Sequence, residues 1–224
     1  MRLDPLTNFA RPIHSDQDKD LPSRRRFLRT ASLAGTAPVL ARALQALAAI
    51  PATDSASTPF DAKTMRELAD WTALSFDTDN PTPIGGQIVD SKTGAQLVRT
   101  LNMAYPHHDP SAHGEVTAIR LACAQLQSQS LKGYTLYTTC EPCAMCMSLI
   151  LYAGLDRVVY GAVLDDAWKV SAHPGLLTLT SAEVKSHSNS TCAVVGPVEH
   201  ERCAALFVDP RLVAVRKQRL AKPN

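Results

Sequence analysis

The chain lacks the features by which several broad classes of protein are identified from sequence. It contains no internal repeat and no low-complexity tract. Its 224 residues are 45% apolar and 20% charged, a composition typical of a folded chain and not of a disordered one. The apolar residues suffice for one sizeable core or two small ones. Only two tryptophans are present, Trp71 and Trp168, so neither forms an aromatic platform with a sequence neighbour.

An uninterrupted apolar run of membrane-spanning length is also missing. The weakly apolar stretch 31–50 is interrupted by Arg42, whereas a membrane span needs about 20 apolar residues. No stable membrane anchor is therefore expected.

The segment that contains this stretch has the order of an export signal. It opens with "SRRRFL" at residues 23–28, continues into the Ala-rich run, and reaches "ALA" at residues 46–48. The pattern resembles a twin-arginine signal with a cleavage site. We predict that residues 1–48 are read by the twin-arginine export machinery and that the mature protein is periplasmic or secreted. The alternative is an amphipathic basic helix on a membrane or nucleic acid.

An excess of charge of one sign is absent from the whole chain but not from its parts. The net charge is +2, and residues 1–48 hold eight of the 23 Lys/Arg and four of the 21 Asp/Glu. The remainder therefore has 15 basic and 17 acidic residues, a net charge of −2. Residues 211–224 hold five of these basic residues and no acidic one, which is typical of the solvated end of a terminal helix; a nucleic-acid arm is the alternative. Residues 49–210 therefore carry −7. Such a surface repels a phosphate backbone, and nucleic acid is not an expected partner.

Helical and strand patterns alternate after a linker-like segment, residues 49–59, which is rich in Ala, Ser, Thr and Pro. Apolar periodicity and turn residues predict helices and strands in alternation. The expected helices cover 60–76, 113–127, 142–154 and parts of 199–221, and Asp61 is a possible N-cap of the first. A hairpin covers 81–102, and strands cover 133–139, 156–163 and 192–198. Residues 165–191 give no clear signal. The alternation predicts one α/β domain over residues 60–224.

Three of the six cysteines fall within seven residues, in "CEPCAMC" at 140–146. Cys143 and Cys146 have the spacing of a disulfide, of a redox pair or of two metal ligands. Neither of the first two explains His113, thirty positions upstream in "HGE", or the proline before Cys143. His113, Cys143 and Cys146 give one nitrogen and two sulfur ligands. Three such ligands leave one tetrahedral position open, as in catalytic zinc sites.

Glu115 lies two residues after His113, in the first turn of the same expected helix. Zinc lowers the pKa of a bound water to about 7, and a carboxylate beside that water can accept its proton. This spacing keeps Glu115 near the metal without making it a ligand. We therefore predict Glu115 as the catalytic acid–base group.

The two motifs together resemble the cytidine deaminase-like superfamily. His-x-Glu followed by Pro-Cys-x-x-Cys is the signature of zinc-dependent nucleobase deaminases. "DPSAHGEVTAIRLAC" and "LYTTCEPCAMC" are similar to the guanine deaminase and tRNA adenosine deaminase branches in particular. The resemblance extends from about Phe60 to Val208. One departure is Gly114, where the family normally has alanine.

The resemblance implies a fold, a reaction and substrate contacts. The fold is the three-layer α/β/α arrangement with a mixed central sheet, and the reaction is zinc-dependent hydrolytic deamination of a free nucleobase or nucleoside. It also implies a homodimer. The residues implied in substrate binding are Asn102, Ala112, Trp168 and His173. His107 and His108 either line the mouth of the pocket or are solvated loop residues.

Two other interpretations remain open at this point. One is a tRNA-editing adenosine deaminase, which the acidic body and the export signal oppose. The other is a non-catalytic zinc-binding protein, which Glu115 opposes because a structural site needs no proton carrier. Which base is deaminated does not follow from the motifs.

Overall fold

The computed structural model of the protein describes residues 56–170 and 177–221, which belong to a unit spanning residues 51–224. The expected export signal, residues 1–48, lies outside the described residues, and so does His173. The helices within the described ranges are all too short or too polar to span a bilayer.

A five-stranded mixed sheet forms the centre of the described fold. The strands are β1 (Gly85–Asp90), β2 (Gln96–Leu101), β3 (Tyr134–Cys140), β4 (Arg157–Ala162) and β5 (Ala193–Val195). Their order across the sheet is β2-β1-β3-β4-β5. β1 runs antiparallel to β2 and to β3, whereas β3, β4 and β5 are parallel. The expected hairpin is therefore β1–β2, and the parallel half is built from strand–helix–strand crossovers.

Eight α-helices connect or flank these strands in the described part of the chain. They are α1 (Pro59–Ala73), α2 (Ala104–His107), α3 (Gly114–Leu126), α4 (Ala144–Tyr152), α5 (Leu164–Val170), α6 (Ser181–Ser186), α7 (His200–Ala205) and α8 (Pro210–Leu220). Two short 3-10 turns, Leu74–Asp77 and Leu206–Val208, follow α1 and α7.

Successive strand residues enter two separate apolar clusters on opposite faces of the sheet. One cluster holds residues of α1, α7 and α8, and the other holds residues of α3 and α4. The strand residues divide between the two clusters as Val89, Tyr137, Val159 and Val195 against Ile88, Leu136, Val158 and Val194. Because side chains alternate along a strand, this division means helices cover both faces. The predicted three-layer α/β/α fold is confirmed.

Helix α1 begins one residue earlier than expected, and its cap differs from the expected one. Thr58 is the N-cap, and its hydroxyl accepts from the Asp61 N–H at 3.1 Å. Asp61, expected as a possible cap, is the third residue of the helix and accepts in return from the Thr58 N–H at 2.7 Å. The reciprocal pair is a capping box, which satisfies two otherwise free N–H groups.

Two further differences concern local helix signals. Residues 165–191, for which no element was expected, contain most of α5 and all of α6. Helix α6 begins with a capping box between Thr180 and Glu183, a signature readable in "TSAE". Helix α4 begins at Ala144 with Cys143 as its N-cap, so Pro142 lies before the helix and not at its first position.

The strand directions bring several loops to one edge of the sheet. β3 and β4 end there, at Cys140 and Ala162, because they are parallel. β1 begins at this edge and β2 ends there, since Gly85 pairs with Leu101. The carboxyl ends of parallel strands form the usual ligand crevice of such sheets.

Candidate metal centre and adjoining cavity

His113, Cys143 and Cys146 meet at this edge of the sheet. Their ligand atoms all lie within 4.8 Å of one another. The Nδ1 atom of His113 is 3.7 Å from Sγ of Cys143 and 3.4 Å from Sγ of Cys146. All six cysteines of the chain lie within the described ranges and are free thiols, so the pair forms no disulfide.

The separations suit a zinc ion. Bonds of about 2.3 Å to sulfur and about 2.0 Å to nitrogen, at a tetrahedral angle, place the two ligand atoms about 3.6 Å apart. The two observed distances fall on either side of this value. One imidazole and two thiols are also donors that zinc prefers. This group of three can therefore hold zinc and leaves one tetrahedral position for another ligand.

Helix starts position the three ligands. His113 is the N-cap of α3 and Cys143 is the N-cap of α4, while Cys146 lies in the first turn of α4. A helix N-terminus carries partial positive charge, which favours a thiolate. A hydrogen bond from Cys146 lowers the pKa of the Cys143 thiol to about 4. This hydrogen bond thus favours the thiolate form of Cys143, which is the form that binds a metal.

Glu115 is the buried carboxylate beside this group. Its side chain is on the first turn of α3, only 3% exposed, and its Oε2 atom has no hydrogen-bond partner among the described residues. Burial raises the pKa of the Glu115 carboxyl to about 7, against the opposing effect of His113. An unpartnered buried carboxylate oxygen is costly, so its presence points to a group that the site takes up.

A close contact between β1 and α3 fixes the position of the first turn of α3, which carries Glu115. A Cβ atom added to Gly86 would lie 3.0 Å from the Gly114 carbonyl oxygen. That oxygen is itself held by the Thr100 hydroxyl, which donates to it at 2.8 Å. The absence of a side chain at Gly86 thus lets the start of α3 approach the strand closely.

A cavity of about 520 Å³ opens beside the three ligands and Glu115. Its volume is in the range of small-molecule binding sites. His113, Glu115 and Cys143 form part of its wall, and Asn102 and Trp168 form another part. His113 and Cys143 of the metal group therefore face one common space with Glu115.

The expected substrate-binding residues fall in three groups. Asn102 and Trp168 line the cavity, and His173 lies outside the described residues. Ala112 is only 2% exposed and is not among the residues that line the cavity. Its N–H donates to the Asp109 carbonyl and its carbonyl accepts from the Met103 N–H.

Asn102 is oriented by its own loop. Its Oδ1 accepts from the Ala104 N–H at 2.9 Å. Its Nδ2 has no partner among the described residues and is available to a ligand. His107 and His108 are exposed and do not line the cavity, as expected of solvated loop residues.

Glu141 is a functional candidate that the sequence did not identify. It lines the cavity and is 7% exposed. Its carboxylate accepts from the N–H and hydroxyl of Ser181, at 2.9 and 2.8 Å, and from the Leu164 N–H at 3.3 Å. Glu141 stands inside the quoted motif, but its partners are 23 and 40 residues away, and no local signal marks them.

Arg216 and Arg219 also line the cavity and were not expected there. The basic C-terminal segment was interpreted as a solvated helix end. Helix α8 instead packs through Leu212 into the apolar cluster of α1 and α7, which carries its arginines to the cavity wall.

Comparison with known proteins adds a family to this geometry. Residues 59–162 match the model of the cytidine and deoxycytidylate deaminase zinc-binding region. Guanine deaminase of Bacillus subtilis is 45% identical over 85 residues, which are 38% of this chain and 53% of that protein. The tRNA-specific adenosine deaminase of Rickettsia bellii is 35% identical over 98 residues, 44% of this chain and 67% of that protein. The matched part thus spans about half to two thirds of these relatives.

A solved structure supports the same fold. Guanine deaminase from Nitrosomonas europaea superposes with a TM-score of 0.59 at 19% identity, covering 84% of this chain and 100% of that one. The likeness concerns the fold, while the identity to the Rickettsia enzyme over two thirds of its length establishes kinship. The chain belongs to the deaminase family that carries the cytidine and deoxycytidylate deaminase zinc-binding region, whose members hydrolyse C–N bonds.

Proposed function

We propose that the protein is a zinc-dependent hydrolytic deaminase that releases ammonia from a free nucleobase or nucleoside with a guanine- or cytosine-type amino group. The observation that carries the proposal is the buried Glu115, whose Oε2 has no partner among the described residues and which lines the same cavity as His113 and Cys143 of the metal group. A structural zinc site has no use for a carboxylate placed in this way.

Each of these side chains has one task. His113, Cys143 and Cys146 hold the zinc ion, which supplies a bound water of lowered pKa when present. Glu115 would carry the protons: its Oε2 accepts one from the attacking water as the C–O bond forms and delivers it to the ring nitrogen. It then takes the hydroxyl proton of the adduct and gives it to the amino group, so that the C–N bond breaks, ammonia leaves and the ring carbon becomes a carbonyl. A carboxyl with a pKa of about 7 can both accept and donate near neutral pH.

The rest of the cavity orients the base. Asn102 offers its Nδ2 as a donor, and its Oδ1 is tied to the Ala104 N–H, so the amide has a fixed direction. Trp168 contributes an apolar wall from α5. Holding the base in one orientation lowers the activation free energy, because less translational and rotational entropy is lost on reaching the transition state.

The test is ammonia release by zinc-loaded protein from a panel of bases and nucleosides. Glu115→Gln keeps the shape of the side chain but cannot carry the proton, so we expect kcat to fall about 10²–10⁴-fold with zinc content unchanged. Glu201→Gln, at an exposed residue of α7, is the matched control and should behave as the unchanged protein. If Glu115→Gln keeps more than about a tenth of kcat, or if no compound of the panel releases ammonia, the proposal is wrong.

Deamination of adenosine in tRNA is the second candidate, and it has support from the tRNA-specific relatives. The net charge of −7 over residues 49–210 opposes it, because an RNA backbone needs a basic surface. An RNA stem-loop in the same assay distinguishes the two. Faster turnover of RNA than of any free base or nucleoside would favour the second candidate.

Export by the twin-arginine route is a further part of the proposal, and it rests on the sequence of residues 1–48. Replacing Arg24, Arg25 and Arg26 with lysine keeps the charge but removes the guanidinium groups of the address. We expect the variant to stay in the cytoplasm, whereas the unchanged protein is recovered from the periplasm or medium. Equal recovery of both from outside the cytoplasm would refute this route.

A homodimer is proposed from the family resemblance. Leu121 of α3 and Tyr152 of α4 are 50% and 89% exposed, on two helices that pack against one another, and offer an apolar surface for pairing. Light scattering during size-exclusion chromatography should give the mass of two chains. A single-chain mass at micromolar concentration would contradict this.

A further inference from the structure

Helix α8 places two arginines on the wall of the catalytic cavity. Arg216 and Arg219 are three residues apart, so they lie one turn from each other on the same side of the helix. Both are half-buried. Among the described residues that line this cavity, Arg216 and Arg219 are the only arginines or lysines; His113 belongs to the metal group.

The pair lies at the outer part of the cavity. The Arg219 guanidinium is stacked on the ring of Tyr105, 3.6 Å from its centroid, and Tyr105 is 51% exposed. Glu115 is by contrast 3% exposed. A molecule with its amino group at Glu115 would therefore present its other end towards the arginines.

No carboxylate within the described residues pairs with either arginine. Arg211, on the same helix, contacts Asp77 at 2.7 Å and Asp209 at 3.0 Å. Within the described ranges Arg216 has a single hydrogen bond, donated to the Phe207 carbonyl at 3.3 Å. Burial and then the neighbouring charge of Arg219 lower the pKa of Arg216. Two like charges one turn apart repel each other, and an anion between them would remove that repulsion.

We propose that Arg216 and Arg219 bind a phosphate group of the substrate, so that the enzyme prefers a nucleoside 5′-monophosphate to the nucleoside or the free base. The inference rests on the deaminase function proposed above and extends its substrate class from bases and nucleosides to nucleoside 5′-monophosphates. Guanidinium groups bind phosphate through paired, charge-assisted hydrogen bonds. Stacking on Tyr105 holds one of them in place while its N–H groups stay free to donate.

A small nucleotide fits the charges around the pair better than RNA does. Residues 49–210 carry a net charge of −7, which repels an extended phosphate backbone. A single phosphate needs only the local field of two arginines.

The experiment compares three matched substrates, the base, its nucleoside and its 5′-monophosphate, on zinc-loaded protein. The variants are Arg216→Gln and Arg219→Gln, which remove one charge each. Lys217→Gln is the control, because Lys217 is exposed on the same helix and does not line the cavity. Dissociation constants of nucleoside and monophosphate are measured separately in the Glu115→Gln background, where turnover is blocked. A short RNA stem-loop is the fourth ligand.

We expect the monophosphate to exceed the nucleoside in kcat/KM and in affinity by at least about tenfold, the equivalent of one charge-assisted hydrogen bond. Each arginine variant should lose this preference, whereas Lys217→Gln should keep it. Equal use of nucleoside and monophosphate, equal losses for both in the variants, or tighter binding of RNA would overturn the proposal. Preference in binding without any ammonia release would uphold the phosphate site and refute the deaminase function.

Discussion

Ser181 donates two hydrogen bonds to one oxygen of Glu141, from its backbone N–H at 2.9 Å and from its hydroxyl at 2.8 Å. The other oxygen accepts from the Leu164 N–H at 3.3 Å. One buried carboxylate thus fixes the first residue of α5 and the first residue of α6. Between these two points the chain carries Trp168 and Leu177 to the cavity wall.

Glu141→Gln should therefore loosen the wall without removing the metal. The substitution replaces one carboxylate oxygen by an amide nitrogen, which cannot accept a hydrogen bond. Either Ser181 or Leu164 therefore loses its acceptor. A lost bond to a charged acceptor is worth about 1.5–3 kcal/mol, and we expect KM to rise about tenfold with kcat within about threefold. Steady-state kinetics and zinc content together measure this.

Glu183→Gln is the matched control for that variant. Glu183 belongs to the capping box of the same helix, α6, but is exposed and outside the cavity. It should cost some stability and leave KM unchanged. A loss of zinc in Glu141→Gln, or an equal rise of KM in both variants, would show that Glu141 does not hold the wall in place.

The metal group makes a second prediction. Cys143→Ser and Cys146→Ser should each bind less than about a tenth of the zinc of the unchanged protein, because a structure with one sulfur fewer has lost a preferred ligand. Cys123→Ser, at a half-buried cysteine far from the group in sequence, should keep it. Elemental analysis after gel filtration is the measurement. Full zinc in both single variants would remove these cysteines from the ligand set.

Asn102 allows recognition to be separated from loop structure. Asn102→Ala removes both the Nδ2 donor and the oxygen that holds the Ala104 N–H, whereas Asn102→Asp keeps an oxygen for that N–H. If the donor contacts the base, both variants should raise the activation free energy by roughly 1–3 kcal/mol, which lowers kcat/KM about tenfold or more. Zinc should be retained in both. Near-normal turnover of Asn102→Asp would mean that the residue only shapes its loop.

A buried ion pair on the other face of the sheet predicts acid sensitivity. Arg157 donates to both oxygens of Asp61, at 2.6 and 2.8 Å, and the Tyr137 hydroxyl donates to one of them at 2.6 Å. Burial alone would raise the pKa of Asp61, but the hydrogen bonds from Arg157, Tyr137 and Thr58 outweigh it and hold the pKa well below its usual range.

The sign of the effect follows from this lowered pKa. An aspartate with a depressed folded-state pKa adds stability above its unfolded value of about 3.9 and loses it progressively as the pH falls below that value. Asp61→Asn should lower the free energy of unfolding by about 3 kcal/mol at pH 7 and flatten its decline below about pH 4. Urea unfolding at several pH values tests both, with the exposed Asp79→Asn as control. An unchanged slope below pH 4 would contradict the assignment.

Gly114 departs from the family pattern, and the structure predicts that the usual alanine would fit. A Cβ there would lie 3.4 Å from the Gly86 nitrogen and 3.5 Å from its other neighbours, which is ordinary contact. Gly114→Ala should raise the free energy of unfolding by about 0.5 kcal/mol and keep activity. Gly86→Ala should destabilise, since its Cβ would press on the Gly114 carbonyl. Thermal unfolding of the two variants distinguishes them; destabilisation by Gly114→Ala would contradict the packing described.

The motif residues were predictable from sequence because their chemistry depends on short spacings. His113 and Glu115 share one helix turn, and Cys143 and Cys146 share another, so two local segments specify most of the centre. The alternation of strands and helices likewise sufficed for the α/β class, whereas the three layers were implied by the family resemblance. The capping box of Thr180 and Glu183 was readable too, and would have revealed α6.

The other features of the site could not be predicted, because they depend on contacts between segments that are distant in sequence. Glu141 looks like part of the cysteine motif until its bonds to Leu164 and Ser181 are seen. The arginines of α8 reach the cavity only because Leu212 packs against the far layer. Ala112 shows the converse. It is next to the ligand His113 in sequence, but its N–H and carbonyl make backbone hydrogen bonds within its own loop.

The division of the apolar core into two clusters has a consequence for how such an enzyme diversifies. His113, Glu115 and Cys146 belong to helices of one layer, whereas Phe207 and Leu212, which close the cavity, pack in the opposite layer. The two sets of residues therefore lie in different layers of the fold. We expect that an exchange of segment 206–220 between relatives would change the cavity wall and leave the metal ligands and Glu115 in place.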